Sequence, residues 1–309
     1  AKRRVELLAV PYFHLVFTLP HALHALTTQR PRAIYELLFG CASATLGEFA
    51  ANPRWLGGQL AFSLVLHTWK QDLGRHVHVH ALVAGGALTP TGEWKSPKRG
   101  FLFPVQALSR VFRGKFMAAL GEARGPGQRL AEALADDKLW RTLRQQLLAH
   151  DWVVYAKQPL GGPEQVLEYL ARYTHRVAIS NERLVGMDET TVRFRVRATP
   201  GKRVLQLPAE EFIERFLLHV LPGGFKRIRH YGLLAPVAKA TKLTLARQAL
   251  SAPAPDPVIT ATVEDFLQRV DRGEWARCSH CNEGRFVPTA AIPPLRPTTP
   301  QSASVRGPP

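Results

Sequence analysis

Cysteine is scarce in this chain: three residues, Cys41, Cys278 and Cys281, among 309. So few thiols cannot build a disulfide framework, and a reducing, cytoplasmic setting fits. Acidic residues are also short. Asp and Glu total 24 against 41 Lys and Arg, a formal charge of +17. Such an excess, spread along the chain, points to a polyanion as partner, and to nucleic acid before a merely solvated basic face. No apolar run reaches the roughly 18 to 20 residues that a membrane-spanning helix needs. The start, Ala1-Lys2-Arg3-Arg4-Val5-Glu6-Leu7, carries charge without the apolar block of a signal peptide. It also lacks an initiator Met, so a segment of a longer protein is expected. Hydrophobic residues make up 46% of the chain, enough for a substantial core. The length allows one large domain with appendages, or two domains.

The most informative run present is Arg75-His76-Val77-His78-Val79-His80-Ala81-Leu82-Val83. Alternation of this kind is a strand pattern. It puts His76, His78 and His80 on one face and Val77, Val79 and Ala81 on the other. Imidazoles two apart on a strand can reach a single cation. The run therefore reads either as a metal-ligand set or as a solvated strand face.

Elsewhere the pattern predicts a buried strand over residues 11–18 and a helix over Pro31–Ala51 with Pro in its first turn. Residues 59–68 are apolar and admit strand or helix. The histidine strand is expected to end at Gly85-Gly86, and Thr89-Pro90-Thr91-Gly92 reads as a turn. Helical periodicity covers 103–124 and 128–150, a strand 152–156, and a helix 161–175. Strands of a meander are expected at 190–196 and 204–207, then a helix over 208–220 and a basic one over 243–250. Residues 251–257 read as a Pro/Ala linker. Strands and helices without regular βαβ alternation make the fold class α+β, with a mainly antiparallel sheet. The expected division is a domain at 1–235, a basic helical extension at 236–286, and a disordered Pro-rich tail at 287–309.

A second feature lies in Gly162-Pro163-Glu164-Gln165-Val166-Leu167-Glu168-Tyr169-Leu170-Ala171-Arg172-Tyr173-Thr174-His175-Arg176. On a helical wheel, Val166, Leu167, Leu170, Ala171 and Thr174 form the buried stripe. Tyr169 and Tyr173, four apart, stack at its edge, with Gln165 one turn earlier. Alone, such phenols read as boundary residues, body inside and hydroxyl in water. Beside a histidine strand and a basic surface they also read as nucleophiles toward phosphorus, once a nearby cation or base activates them.

Two motifs carry a family resemblance. His76-Val77-His78-Val79-His80-Ala81-Leu82-Val83-Ala84-Gly85-Gly86-Ala87-Leu88 and Tyr169-Leu170-Ala171-Arg172-Tyr173-Thr174-His175-Arg176-Val177-Ala178-Ile179-Ser180 resemble the signature motifs of rolling-circle transposases. These are the two-tyrosine transposases of the IS ninety-one type, in the HUH (His-hydrophobe-His) endonuclease superfamily. Tyr12-Phe13-His14-Leu15-Val16-Phe17-Thr18-Leu19-Pro20, Leu66-His67-Thr68-Trp69, Trp152-Val153-Val154-Tyr155-Ala156-Lys157 and the stretch around Phe225-Lys226-Arg227-Ile228-Arg229-His230-Tyr231-Gly232 resemble the family in the same order. The resemblance implies a Rep-like antiparallel sheet flanked by helices. It also implies nicking and rejoining of single-stranded DNA at insertion-sequence ends and target DNA, through a 5′-phosphotyrosine on Tyr169 or Tyr173. It implies Mg²⁺ or Mn²⁺ held by His78 and His80, without His76. The third ligand is expected to be Gln165, which shares the tyrosine face, with His67 and Gln71 as rivals. Arg172, Arg176, Lys226, Arg227 and Arg229 are the expected phosphate contacts.

The chain departs from the family pattern at both ends. The N-terminal cysteine-rich zinc module of the family is missing, which leaves recognition of DNA ends in question. Cys278-Ser279-His280-Cys281 supplies half of a zinc site, so zinc on Cys278 and Cys281 is an open but disfavoured reading for this chain alone. Cys41 reads as core. Three other functions compete. One is a replication initiator or relaxase with the same chemistry; another is a catalytically silent DNA-binding remnant. The third, a zinc enzyme acting on small molecules, is disfavoured by the charge.

Overall fold

The computed structural model describes residues 6–98, 100–160, 178–197, 201–253, 277, 278, 280, 281, 283 and 284. Two compact units are distinguished, residues 2–256 and residues 257–309 together with Ala1. The tyrosine-bearing stretch at 161–177, most of the proposed 251–257 linker and the Pro-rich tail lie outside the described residues.

The first unit is built on an antiparallel sheet. Its strands are β1 (Tyr12–Thr18), β2 (Gln59–Trp69), β3 (Arg75–Leu88), β4 (Trp94–Lys95), β5 (Val154–Leu160) and, much later in sequence, β9 (Ile228–Gly232). The order is β5-β1-β3-β2-β9, with β4 paired to the end of β3. Every pairing is antiparallel. The histidine strand is thus central, flanked by β1 and β2. β2 resolves the ambiguity of residues 59–68. It is buried from Leu60 to Thr68 because both its faces are covered, and a continuous apolar run suits such a strand.

Opposed residues in an antiparallel pair project to one face. Val16 and Val65 both stand opposite His80, and Thr18 and His67 opposite His78. His14, His67, His78 and His80 therefore share a face. The other face carries Phe13, Leu15, Phe17, Phe62, Leu64, Leu66, Val77, Val79, Ala81 and Val83, all in the main core. Helices α2 (Pro31–Ala51), which follows the short α1 (His24–Gln29), and α3 (Val105–Ala123) join that core. They contribute Ile34, Leu38, Phe39, Ala42 and Leu46, and Leu108, Phe112, Phe116 and Leu120, at helical spacing. Burying a valine is worth about 1.5–3 kcal/mol. A one-residue slip of β3 would bury the imidazoles and expose the valines, so the core fixes the histidine register.

The histidine face is apolar at its other end. Leu8, Val10, Tyr12, Ala61, Leu82 and Ala84 cluster there with Leu243 and Ala246 of α6 (Lys239–Ala249). A separate meander, β6 (Leu184–Met187), β7 (Thr191–Arg197) and β8 (Lys202–Pro208), is followed by α5 (Ala209–Leu217). Its core residues Phe194, Val196 and Leu207 gather around Leu73 of the β2–β3 turn. Buried His219 ties this region to the large sheet. Its Nε2 donates to the Leu73 carbonyl at 2.9 Å, which leaves Nδ1 to accept from the Thr68 hydroxyl at 3.1 Å.

Three expectations need correction. The histidine strand does not end at Gly85-Gly86 but runs to Leu88. These glycines serve close approach instead of a turn. A Cβ on Gly85 would lie 2.7 Å from the Pro11 carbonyl oxygen, and one on Gly86 2.3 Å from Trp94 Nε1. The helix expected over 128–150 is confined to α4 (Asp137–Leu148), because Asp136 caps it, its carboxylate accepting from the Lys138 and Leu139 amides. β6 and β9 were not foreseen. Both are edge strands without a clear apolar alternation, β6 mostly exposed and β9 half-covered.

Candidate functional site

His78 and His80, two apart on β3, place their Nε2 atoms 3.0 Å from each other. His67 reaches the same point from β2. Its ring centroid is 5.4 Å from that of His78 and 4.3 Å from that of His80, and the His78 and His80 centroids are 4.8 Å apart. One nitrogen from each of the three lies within 4.8 Å of the others. Three imidazoles bound to one ion through nitrogens at about 2.1 Å would hold their centroids about 5 Å apart. The donor set fits a metal ion, and these residues could hold one.

The protonation pattern also fits. The His76 carbonyl can only accept, so His78 Nδ1 donates to it at 2.9 Å and the Nε2 lone pair faces the cluster. His80 Nδ1 lies 2.8 Å from His14 Nε2, with the rings stacked at 5.1 Å and 7°. An ion on His80 Nε2 leaves Nδ1–H to donate to His14. Burial pushes the His78 pKa down to about 4, and burial followed by the charge of His67 lowers that of His80. Both rings are therefore neutral at pH 7, the form that ligates.

Two tests follow from this packing. His14→Phe should weaken Mn²⁺ binding about tenfold to a hundredfold, as loss of a partner behind a ligand generally does. His14→Gln, which keeps an acceptor, should restore part of the affinity in calorimetric titration. Acid should also destabilise the protein. The unfolded chain binds a proton at His78 near pH 6.5, whereas the folded chain does so only near 4. Between these values the unfolded state holds more protons, so stability is full above 6.5 and lost as pH falls toward 4. Urea unfolding in EDTA should show about 2 kcal/mol less stability at pH 5 than at pH 7. Equal midpoints would show that His78 titrates normally.

Around the triad, Trp69 stacks on His67 with centroids 4.6 Å apart. The Arg227 guanidinium lies 4.9 Å from the Trp69 ring centre, and its Nε donates to the Leu66 carbonyl. The charge of Arg227 also acts on His80. A fixed cation and an aromatic face thus border the histidines. Lys226 is exposed just before β9. Arg229 is not brought to the triad. It pairs opposite Leu64, and its guanidinium sits over Phe39 and Phe225 on the helix-covered side. The β2–β3 turn carries Gln71 at an exposed position. Gln165, Tyr169, Arg172, Tyr173 and Arg176 lie outside the described residues.

His67 had been one of several rivals for third ligand, and the roles of His14 and Trp69 had no sequence signal beyond their presence in family-like stretches. Cys41 is buried in the main core, which raises its thiol pKa to about 12. In the second unit, Cys278 N–H donates to the Gly284 carbonyl at 2.7 Å and Gly284 N–H to Cys281 Sγ at 3.3 Å. No third ligand joins these two sulfurs among the described residues.

Residues 61–242 match the family model described as "Putative transposase". The chain is 43% identical over 296 residues to "Putative transposase y4qJ" of Sinorhizobium fredii, covering 92% of this chain and 74% of that protein. It is 28% identical over 290 residues to the "Transposase for insertion sequence element IS801" of Pseudomonas savastanoi pv. phaseolicola, covering 91% and 68%. Among solved structures, "Conjugative Relaxase TrwC in complex with mutant OriT Dna" aligns with a TM-score of 0.31 and 14% identity, covering 78% of this chain and 75% of that one. With its family model matched from β2 through β9, the histidine triad included, the chain belongs to the IS ninety-one-type family of transposases.

Proposed function

We propose that the protein nicks and rejoins single-stranded DNA at insertion-sequence ends and target DNA during rolling-circle transposition. The observation that carries this reading is the convergence of His67, His78 and His80 beside Arg227 on one face of the sheet. His67, His78 and His80 hold the ion, with His67 in the third position. When bound, a divalent ion polarises the scissile phosphate and stabilises the charge that grows on it. An all-imidazole set is softer than Mg²⁺ favours, so Mn²⁺ is the better fit of the two. Arg227 adds a permanent charge for the phosphate oxygens, and Trp69 packs against both Arg227 and His67.

Tyr169 and Tyr173 supply the nucleophiles. A phenolate oxygen bonds to phosphorus as the bond to the 3′ oxygen breaks. The products are a 5′-phosphotyrosine and a free 3′-hydroxyl once the departing oxygen takes up a proton. The phosphotyrosine retains the bond energy, so a 3′-hydroxyl can attack it and rejoin the strand without a high-energy cofactor. Two tyrosines permit two successive attacks.

The test is incubation with a labelled single strand from an element end and Mn²⁺, followed by denaturing electrophoresis. A protein-linked label is expected. Binding without any covalent product, in protein loaded with Mn²⁺, would instead identify a silent DNA-binding remnant.

A further inference from the structure

The triad leaves His76 unused, and its ring leads to a second basic cluster. The His76 centroid is 4.9 Å from that of His78 and 6.4 Å from that of His21. His21 and His24 are three apart across a 3₁₀ turn, where such residues eclipse, and their centroids lie 4.3 Å apart. Two ring nitrogens here, His24 Nε2 and His76 Nδ1, are buried without a hydrogen-bond partner. Leaving such a nitrogen unpaired carries a desolvation penalty, which a ligand with acceptor atoms would recover. The charged groups that act on His24 are His21, Arg75, His76 and Lys70, all cationic when charged, and those on His76 are Lys70 and His21. Lys70 is exposed, its backbone N–H donating to the Gly74 carbonyl, and the next residue, Arg75, is half-buried with its guanidinium 3.4 Å from the Leu218 carbonyl.

We infer that His21, His24, His76, Lys70 and Arg75 form a subsite for a phosphate of the DNA strand flanking the phosphate held at the triad. A neutral imidazole carries one N–H and can present it from either nitrogen. His24 and His76 can therefore donate through the two unpaired atoms while Lys70 and Arg75 supply charge. A phosphodiester brings acceptors and one negative charge, matching both needs. A second metal ion is the poorer occupant, because Lys70 and Arg75 repel it and no carboxylate acts on either ring. The subsite would keep the strand in register, so that the scissile phosphate and no neighbour meets the triad.

This rests on the single-strand reading above, and the experiment separates the two. Single strands in which one phosphate at a time is replaced by an uncharged methylphosphonate are titrated against wild type, Lys70→Ala and His24→Leu in EDTA, over a series of salt concentrations. In wild type, one replacement flanking the nick position should weaken binding about tenfold. In each variant the same replacement should have little further effect, because the partner is already gone. The slope of log affinity against log salt should fall by about 0.7 in Lys70→Ala. Because Lys70 is exposed, its substitution carries the test even if His24→Leu does not fold. Losses that simply multiply, or a variant with wild-type affinity and slope, would overturn the subsite. So would a second Mn²⁺ equivalent in wild type that His24→Leu lacks, which would make it a cation site. Failure of wild type to bind any single strand would instead sink the single-strand reading itself.

Discussion

Replacing His78 or His80 by Ala is expected to reduce strand nicking by about a thousandfold or more. Metal stabilisation of a phosphoryl transition state is worth several kcal/mol, and each 1.36 kcal/mol is a factor of ten in rate. The fold should survive. Val77, Val79 and Ala81, on the opposite side of β3, are buried in the main core and hold the strand in place. Circular dichroism and thermal unfolding should therefore change little, while calorimetric Mn²⁺ titration loses its signal. His67→Ala should behave like the strand pair, since its ring meets both partners. Gln165→Ala should retain Mn²⁺ binding; if it loses the ion and His67→Ala does not, the third ligand is misassigned. His76→Ala should keep the ion and weaken DNA binding. Loss of Mn²⁺ binding in His76→Ala, with retention in His78→Ala, would mean that the register of the site is wrong.

The second large effect concerns the tyrosines. The double variant Tyr169→Phe/Tyr173→Phe should bind single-stranded DNA as wild type does and form no covalent adduct. Removing a single hydroxyl leaves the apolar ring, so any packing role is kept while one nucleophile is lost. One single variant should still nick, yet neither should complete transfer if the two attacks are consecutive. Residues four apart on a helix are separated by about 6 Å along its axis, so the two phenols cannot meet one phosphate with equal geometry. Mass spectrometry of the adduct decides the matter. A DNA-linked peptide outside residues 166–176 would remove both tyrosines from the reaction.

Much of this was legible in the sequence because it is written in local patterns. The His-Val alternation placed three imidazoles on one face of a strand, and β3 carries them so. Proline followed by apolar residues at helical spacing marked α2 at Pro31–Ala51, the bounds the structure shows. The family resemblance, carried by two short motifs in the right order, pointed to the transposases. What failed locally did so for identifiable reasons. Gly85-Gly86 reads as a turn on its own, and only the nearness of Pro11 and Trp94 makes it the interior of a strand. β9 has no alternation to read, because it is an edge strand whose residues are all half-covered.

The sequence by itself determined the strand that bears His78 and His80, the charge that favours nucleic acid, and the family. Each depends on residues adjacent in the chain or on their sum. Only the tertiary structure decided that His67 completes the triad, since strand pairing across the β2–β3 turn sets it opposite His78. It also decided that His14 backs His80 across 66 positions of chain, and that Arg227 faces the site while Arg229 turns away from it. Strands far apart in sequence are brought side by side by burial of their apolar face, and the positions of the polar side chains on the other face follow from that register.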